Sequence, residues 1–139
     1  MKDYKSMLKE YNLKATPQRM YMISEIEKSG HIDIDNLYES LQTFFPYISL
    51  ATVYKNINSM VDNGFLTEVK VPHKKSRYEI TKESHAHLFC KECGKLEDIF
   101  INTEALYNEA MQNSNYQITD ILVTFEGICK ECQKLKSEG

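Results

Sequence analysis

His85-Ala86-His87-Leu88-Phe89-Cys90-Lys91-Glu92-Cys93-Gly94 sets two histidines and two cysteines within nine residues, and Cys129-Lys130-Glu131-Cys132 repeats the cysteine spacing near the end of the chain. These four are all the cysteines of the 139-residue protein. A Cys-x-x-Cys turn points two thiolates the same way, and two such turns supply four ligands to one tetrahedral Zn2+. Four sulfurs leave no open position, so the expected role is structural. The 35 residues between the pairs make the site a staple joining the start of the second half to its end. Four unbound thiols, or a redox pair, are the other reading of the same residues. The first residues carry no apolar signal core, so the chain is expected in the cytoplasm, where thiols stay reduced and a metal site is favoured over disulfides.

Upstream of this patch the chain reads as helices. Tyr4, Met7, Leu8 and Tyr11 fall at helical spacing and predict a first helix over residues 3–12. Thr16-Pro17-Gln18-Arg19 is a start signal, Thr as cap and Pro in the first turn, for a second helix that ends before Gly30. Asp33 caps a third, through Leu37, Tyr38 and Leu41, and Ser49 caps a fourth that ends at Gly64. The expected buried stripe of the fourth is Leu50, Val53, Ile57, Met60 and Val61. Residues 65–71 and 76–80 alternate on either side of Pro72-His73-Lys74-Lys75, which predicts a hairpin with a basic tip. Short helices followed by such a hairpin form a winged helix-turn-helix. Its recognition helix would present Ser49, Thr52, Tyr54, Lys55 and Asn56 to phosphates and base edges, with Lys14 and Arg19 as further backbone contacts. An ordinary amphipathic helix with a polar side has the same composition.

Thr81-Lys82-Glu83-Ser84 is polar and predicts a hinge. The expected organisation is therefore a DNA-binding domain over residues 1–80, a hinge over 81–84 and a metal-binding domain over 85–139, an α+β chain. In the second domain, residues 85–89 and 96–101 predict short strands, 103–113 a helix and 130–138 a charged helix. Residues 116–125 alternate and predict the longest strand. His85 and His87 alternate on one strand and share a face. Two imidazoles held side by side suit a divalent metal. Glu79 and Asp98 are available carboxylates, Glu97 is a less favoured neighbour, and His31 could reach across from the first half. Histidines that merely cover a surface fit the same spacing.

The bulk charge, −3, does not announce a nucleic-acid binder, but residues 1–82 carry +2 and residues 83–139 carry −5, so positive charge collects in the helical half. No apolar run approaches the ~20 residues of a membrane helix, so no membrane partner is expected.

Taken together, Leu13-Lys14-Ala15-Thr16-Pro17-Gln18-Arg19, Ile48-Ser49-Leu50-Ala51-Thr52-Val53-Tyr54-Lys55-Asn56, His85-x-His87-x-x-Cys90-x-x-Cys93-Gly94 and Gly127-x-Cys129-x-x-Cys132 resemble, in this order, the ferric uptake regulator family of metal-dependent repressors. The resemblance implies a winged-helix domain followed by a C-terminal α/β dimerisation domain. It implies that the four cysteines hold structural zinc and that the protein acts as a homodimer on operator DNA rather than as an enzyme. A regulatory Fe2+ or Mn2+ is implied at the junction, with His31, Glu79, His85, His87 and Asp98 as ligands. Tyr54 and Lys55 would face bases and Lys14 the minor groove.

Asp at position 98 resembles the peroxide-sensing branch, where iron sensors usually carry Glu. Glu79 departs from that branch, which usually has Asp there. In that branch ferrous iron reacts with hydrogen peroxide and a ligand histidine, here His31 or His85, is oxidised. An iron-responsive repressor of uptake genes is the alternative within the family. Outside it stand a non-haem iron enzyme, because two histidines and a carboxylate resemble a facial triad, and a zinc-stapled adaptor without a DNA role.

Overall fold

Each helix of the first half begins at a side chain that accepts one of its otherwise unpaired N–H groups. In the computed structural model, which describes residues 3–82 and 85–138, Asp3 opens α1 (Tyr4–Glu10), and Thr16 accepts the Arg19 N–H at 3.2 Å to open α2 (Pro17–Ser29). Pro17 occupies the first turn of α2, where its missing N–H is no loss. Gly30, at φ 77°, closes the helix by donating its N–H to the Ile26 carbonyl, a backbone conformation that other residues resist. Asp33 accepts the Asn36 N–H at 2.8 Å to open α3 (Ile34–Phe44), and Ser49 accepts the Thr52 N–H at 3.1 Å to open α4 (Leu50–Asp62). Replacing Asp33 with Ala should destabilise the protein by about 1 kcal/mol, visible as a drop of a few degrees in melting temperature; an unchanged melt would show that this cap contributes nothing.

The apolar faces of these helices meet in one core. Met22, Ile23 and Ile26 of α2, Ile34, Leu37 and Leu41 of α3, and Val53, Ile57 and Met60 of α4 are all buried there, with Leu8 and Phe65 beside them. Leu50, expected in the stripe, is 38% exposed. Helical side chains lean towards the N-terminus, so this first-turn residue projects beyond the helix end and misses the core. Val61 is half-buried and packs against the same cluster. The Tyr4 hydroxyl donates to the Glu27 carboxylate and ties α1 to α2.

The hairpin forms as read: β2 (Leu66–Val69) and β3 (Arg77–Ile80) pair antiparallel, with Glu68 opposite Tyr78. Its tip is tied to α3 by a Lys75–Asp35 ion pair at 2.6 Å. The connection that contains His31 holds an element the reading missed, the two-residue strand β1 (Ile32–Asp33), which pairs with β3 and makes the sheet three-stranded in the order β1-β3-β2.

The chain divides into two compact units, Met1–Lys82 and Glu83–Gly139. Of the expected hinge, Glu83 and Ser84 lie outside the described residues. In the second unit β4 (Ala86–Cys90) is the centre of a sheet ordered β5-β4-β6, antiparallel to β5 (Leu96–Ile99) and parallel to β6 (Thr124–Gly127). Helix α5 (Thr103–Gln112) lies between β5 and β6 in sequence, and α6 (Lys130–Glu138) starts just after Cys129 and carries Cys132 in its first turn. The long strand expected over 116–125 is corrected: only Thr124–Gly127 pairs, although the Val123 carbonyl still accepts the His87 N–H at 3.0 Å. His87 stands opposite Thr124. In this parallel register the positions opposite residues 116–122 precede the start of β4, so the alternating stretch has no ladder to join among the described residues. No helix among the described residues is long and apolar enough to cross a membrane.

Candidate functional site

Strand register explains how each histidine meets a carboxylate. In the first unit β1 pairs with β3 as Ile32 opposite Tyr78 and Asp33 opposite Arg77. One more step in that antiparallel register sets His31 opposite Glu79, and His31 Nε2 lies 2.9 Å from a Glu79 carboxylate oxygen. Glu79 is 1% exposed. A carboxylate at that depth is tolerable only with cationic or N–H partners.

The second unit repeats the device. β4 and β5 set His87 directly opposite Asp98. His85 precedes His87 by two residues and so shares its face. His85 Nε2 and His87 Nε2 are 3.1 Å apart, and they lie 3.5 and 3.4 Å from the same Asp98 oxygen. Ligands about 2.1 Å from a metal stand about 3.0 Å apart in octahedral and about 3.4 Å apart in tetrahedral geometry, so this donor set fits one divalent ion. Glu97 faces away: it is opposite Leu88 in the register and pairs with Lys95 at 2.6 Å. The sequence favoured Asp98 over Glu97 as the neighbouring carboxylate, and the ladder places Asp98, not Glu97, opposite His87.

The same sheet assembles the cysteines. Cys90 ends β4 opposite Gly127 of β6, two residues before Cys129. Gly94, at φ 79°, turns the chain so that its N–H reaches the Cys90 carbonyl at 2.8 Å, which brings Cys93 back beside Cys90. All four Sγ atoms lie within 4.8 Å of one another, and Cys93 and Cys129 are 3.9 Å apart, too far for a disulfide. Four sulfurs at the Zn–S distance of about 2.3 Å would be about 3.8 Å apart, so the cluster fits a tetrahedral thiophilic ion such as Zn2+. The Cys129 N–H, donated to Cys90 Sγ at 3.3 Å, draws that thiol down to about 6, while hydrogen bonding to Cys129 pushes Cys132 up to about 12. Ion binding must therefore expel protons, and affinity for zinc should rise with pH. Lys95 reaches Glu131 at 3.3 Å, and Lys136 reaches Glu92 at 2.7 Å, exposed pairs that orient the two turns more than they stabilise them.

The expected nucleic-acid face divides into committed and available side chains. Ser49 caps α4 by accepting the Thr52 N–H, and the two hydroxyls are 2.9 Å apart. Asn56 donates to the Thr52 carbonyl and accepts from Arg19 Nε, both at 2.9 Å, and Arg19 also donates to the Lys14 carbonyl at 3.0 Å. Arg19 and Asn56 thus lock α2 to α4 and position the helix. Tyr54, 39% exposed, and Lys55 stand on its open side, with Tyr54 within electrostatic reach of Lys75 at the hairpin tip. The reading overlooked a groove of about 430 Å3 at the start of α4, between Gln18 of α2 and the α3–α4 turn that carries Tyr47. Its only sequence signal was an aromatic between Pro46 and the Ser49 cap.

The profile of the Ferric uptake regulator family matches residues 10–126. The chain belongs to that family. It is accordingly a metal-dependent transcriptional repressor of the ferric uptake regulator type. The peroxide-responsive repressor PerR of Staphylococcus aureus is 30% identical over 128 residues, covering 91% of this chain and 86% of the relative. Among solved structures, the Campylobacter jejuni peroxide stress regulator superposes with a TM-score of 0.71 at 34% identity, over 94% of this chain and 100% of its own. The Vibrio cholerae ferric uptake regulator superposes at 0.73 with 29% identity, over 91% of this chain and 100% of its own. The winged-helix and α/β architecture of this member of the ferric uptake regulator family is therefore that of its relatives.

Proposed function

We propose that this protein is a peroxide-responsive repressor that binds operator DNA as a homodimer when a regulatory Fe2+ or Mn2+ is held by His31, Glu79, His85, His87 and Asp98, with Zn2+ in the four cysteines. The observation that carries it is Asp98 locked opposite His87 and beside His85, in a chain 30–34% identical to peroxide-responsive regulators over most of its length. His31 and Glu79 belong to the winged-helix unit, and His85, His87 and Asp98 to the other. One cation shared by both sets, across the hinge at 81–84, neutralises two carboxylates that otherwise repel. It holds the recognition helices of a dimer at a fixed separation, as paired half-sites require. Metal and DNA then favour the same state, and each strengthens the binding of the other. On that state Lys14, Arg19, Ser49, Thr52, Tyr54, Lys55 and Asn56 form the DNA-facing set, with Tyr54 and Lys55 nearest the bases.

Bound Fe2+ would activate hydrogen peroxide as a redox catalyst recovered at the end, the imidazole being the net two-electron reductant. The imidazole of His31 or His85 takes up one oxygen atom in place of a ring hydrogen, as C–OH, and the peroxide leaves as water. An oxidised ring is a poorer ligand, so the two donor sets part and the operator is released. Glu79 supports a second reading, an iron-responsive repressor that does not consume a histidine, in keeping with the 29% identity to the Vibrio cholerae regulator.

Operator affinity measured with Fe2+ and with Mn2+, before and after peroxide, separates the two. The peroxide reading expects loss of binding in the Fe2+ form alone, with one added oxygen on His31 or His85 by mass spectrometry. Reversible loss with unmodified histidines would select the iron reading.

A further inference from the structure

The groove at the start of α4 is built to hold an aromatic side chain outwards. Phe45 donates its N–H to the Leu41 carbonyl at 2.8 Å, and Ile48 donates to the Phe45 carbonyl at 3.0 Å, so the α3–α4 turn is closed by backbone bonds. Ile48 is buried and Phe45 packs against the core. Between these two anchors Tyr47 is fully exposed, 100%. Phe44, 64% exposed, flanks it and rests on Tyr21 with ring centroids 4.8 Å apart. Tyr47, in solvent on this turn two residues before the Ser49 cap and flanked by Phe44 at the end of α3, is not explained by packing. Among the described residues no acidic or basic side chain lines the groove; its side-chain polar atoms come from Gln18, Tyr47, Ser49 and Thr52. The first turns of α2 and α4 likewise hold no acid.

In helix-turn-helix docking the recognition helix enters the major groove N-terminus first while the preceding helix crosses the backbone. The turn between them therefore lies against sugar and phosphate. We infer that Tyr47, supported by Phe44, is a DNA-positioning residue that clamps the sugar-phosphate backbone of the operator from the α3–α4 turn, outside the base-reading face of α4. The Tyr47 hydroxyl donates to a phosphate oxygen, its ring packs on the deoxyribose, and Gln18 offers a second donor across the groove. The absence of carboxylates removes the repulsion that would keep a phosphate away. This inference rests on the repressor reading and adds to it a contact made by neither Tyr54 nor Lys55.

The test uses the full-length Mn2+-loaded protein and a duplex that the wild type selects from a random-sequence pool. Tyr47→Ala and Phe44→Ala are compared with Tyr116→Ala, a control at a tyrosine 78% exposed in the other unit. Tyr47→Ala should bind about tenfold more weakly, the size of one lost phosphate hydrogen bond with its aromatic support. Binding to a scrambled duplex should weaken by the same factor, because phosphate contacts carry no base information. The dependence of log affinity on log salt should keep its slope, because a neutral side chain displaces no counterion; Lys14→Ala, at a backbone-contacting lysine, should reduce that slope by about one. Affinity within twofold of wild type for Tyr47→Ala overturns the inference while leaving the repressor reading intact. A change in the protein's mass in solution on Tyr47→Ala, without DNA, overturns it in favour of a face for self-association. Failure of the wild type to select any duplex overturns the repressor reading, and this inference with it.

Discussion

Replacing Cys132 with Ser, or stripping the thiolate-bound ion with a chelator, should unfold the second unit and leave the first folded. The asymmetry follows from burial. The continuous core of buried side chains lies wholly in the first unit, from Leu8 to Tyr78. In the second, the buried side chains among the described residues are Ala86, His87, Phe89, Cys90 and Leu96, while α5 has none and every residue of β6 is exposed. So small a core does not offset the conformational entropy of ordering the segment, which is why domains of this size need a staple. Tetrahedral zinc supplies on the order of 10 kcal/mol in small metal-dependent folds, and it does so here by joining the end of β4 to the turn before α6. Hydrogen exchange resolved by segment is the measurement. Protection should vanish over residues 86–99 and 124–138 and persist in α2, α3 and α4. Retained protection in β4 after zinc removal would refute the staple. The requirement for ion-expelled protons adds a pH signature: zinc should be retained less well as pH falls, because protons return first to the thiols that hydrogen bonding already holds high, Cys132 above all.

Asp98→Asn should abolish metal-dependent operator binding, with Mn2+ affinity falling by at least about 100-fold, more than the 10- to 100-fold typical of losing an outer partner of a ligand. Glu97→Gln, one residue away, should leave it within twofold of wild type. The contrast comes from the sheet. Asp98 stands opposite His87 on the face that carries His85, whereas Glu97 stands opposite Leu88 and pairs with Lys95. An amide keeps the shape of Asp98 but removes its charge, so a folded, zinc-loaded variant that cannot respond to Mn2+ isolates the electrostatic role. His87→Ala should behave alike. Manganese titrations followed by calorimetry and by DNA anisotropy give both numbers. Equal losses for Asp98→Asn and Glu97→Gln would show that the site depends on net acidity and not on register.

Much of this is legible in the amino-acid sequence. Thr16-Pro17, Asp33 and Ser49 announce helix starts because the first N–H groups of a helix need local acceptors, and all three serve as caps. The paired Cys-x-x-Cys spacings announce a four-thiolate site because the ligand geometry of a knuckle is local. The alternating stretch over residues 116–125 misled for the complementary reason: alternation records two faces but not whether a neighbouring strand is there to pair with. Leu50 misled because spacing does not say where a helix runs out of neighbours.

What the chain order alone determined is everything that depends on residues within a turn or two of one another: the caps, the helical stripes, the hairpin, the cysteine knuckles and the shared face of His85 and His87. What only the tertiary structure decided is which distant residues become opposite numbers. A two-residue strand invisible to periodicity sets His31 against Glu79, and an antiparallel register sets Asp98, not Glu97, against His87. Hydrogen bonds between strands fix that register, and a shift of one residue would turn every one of these side chains to the opposite face.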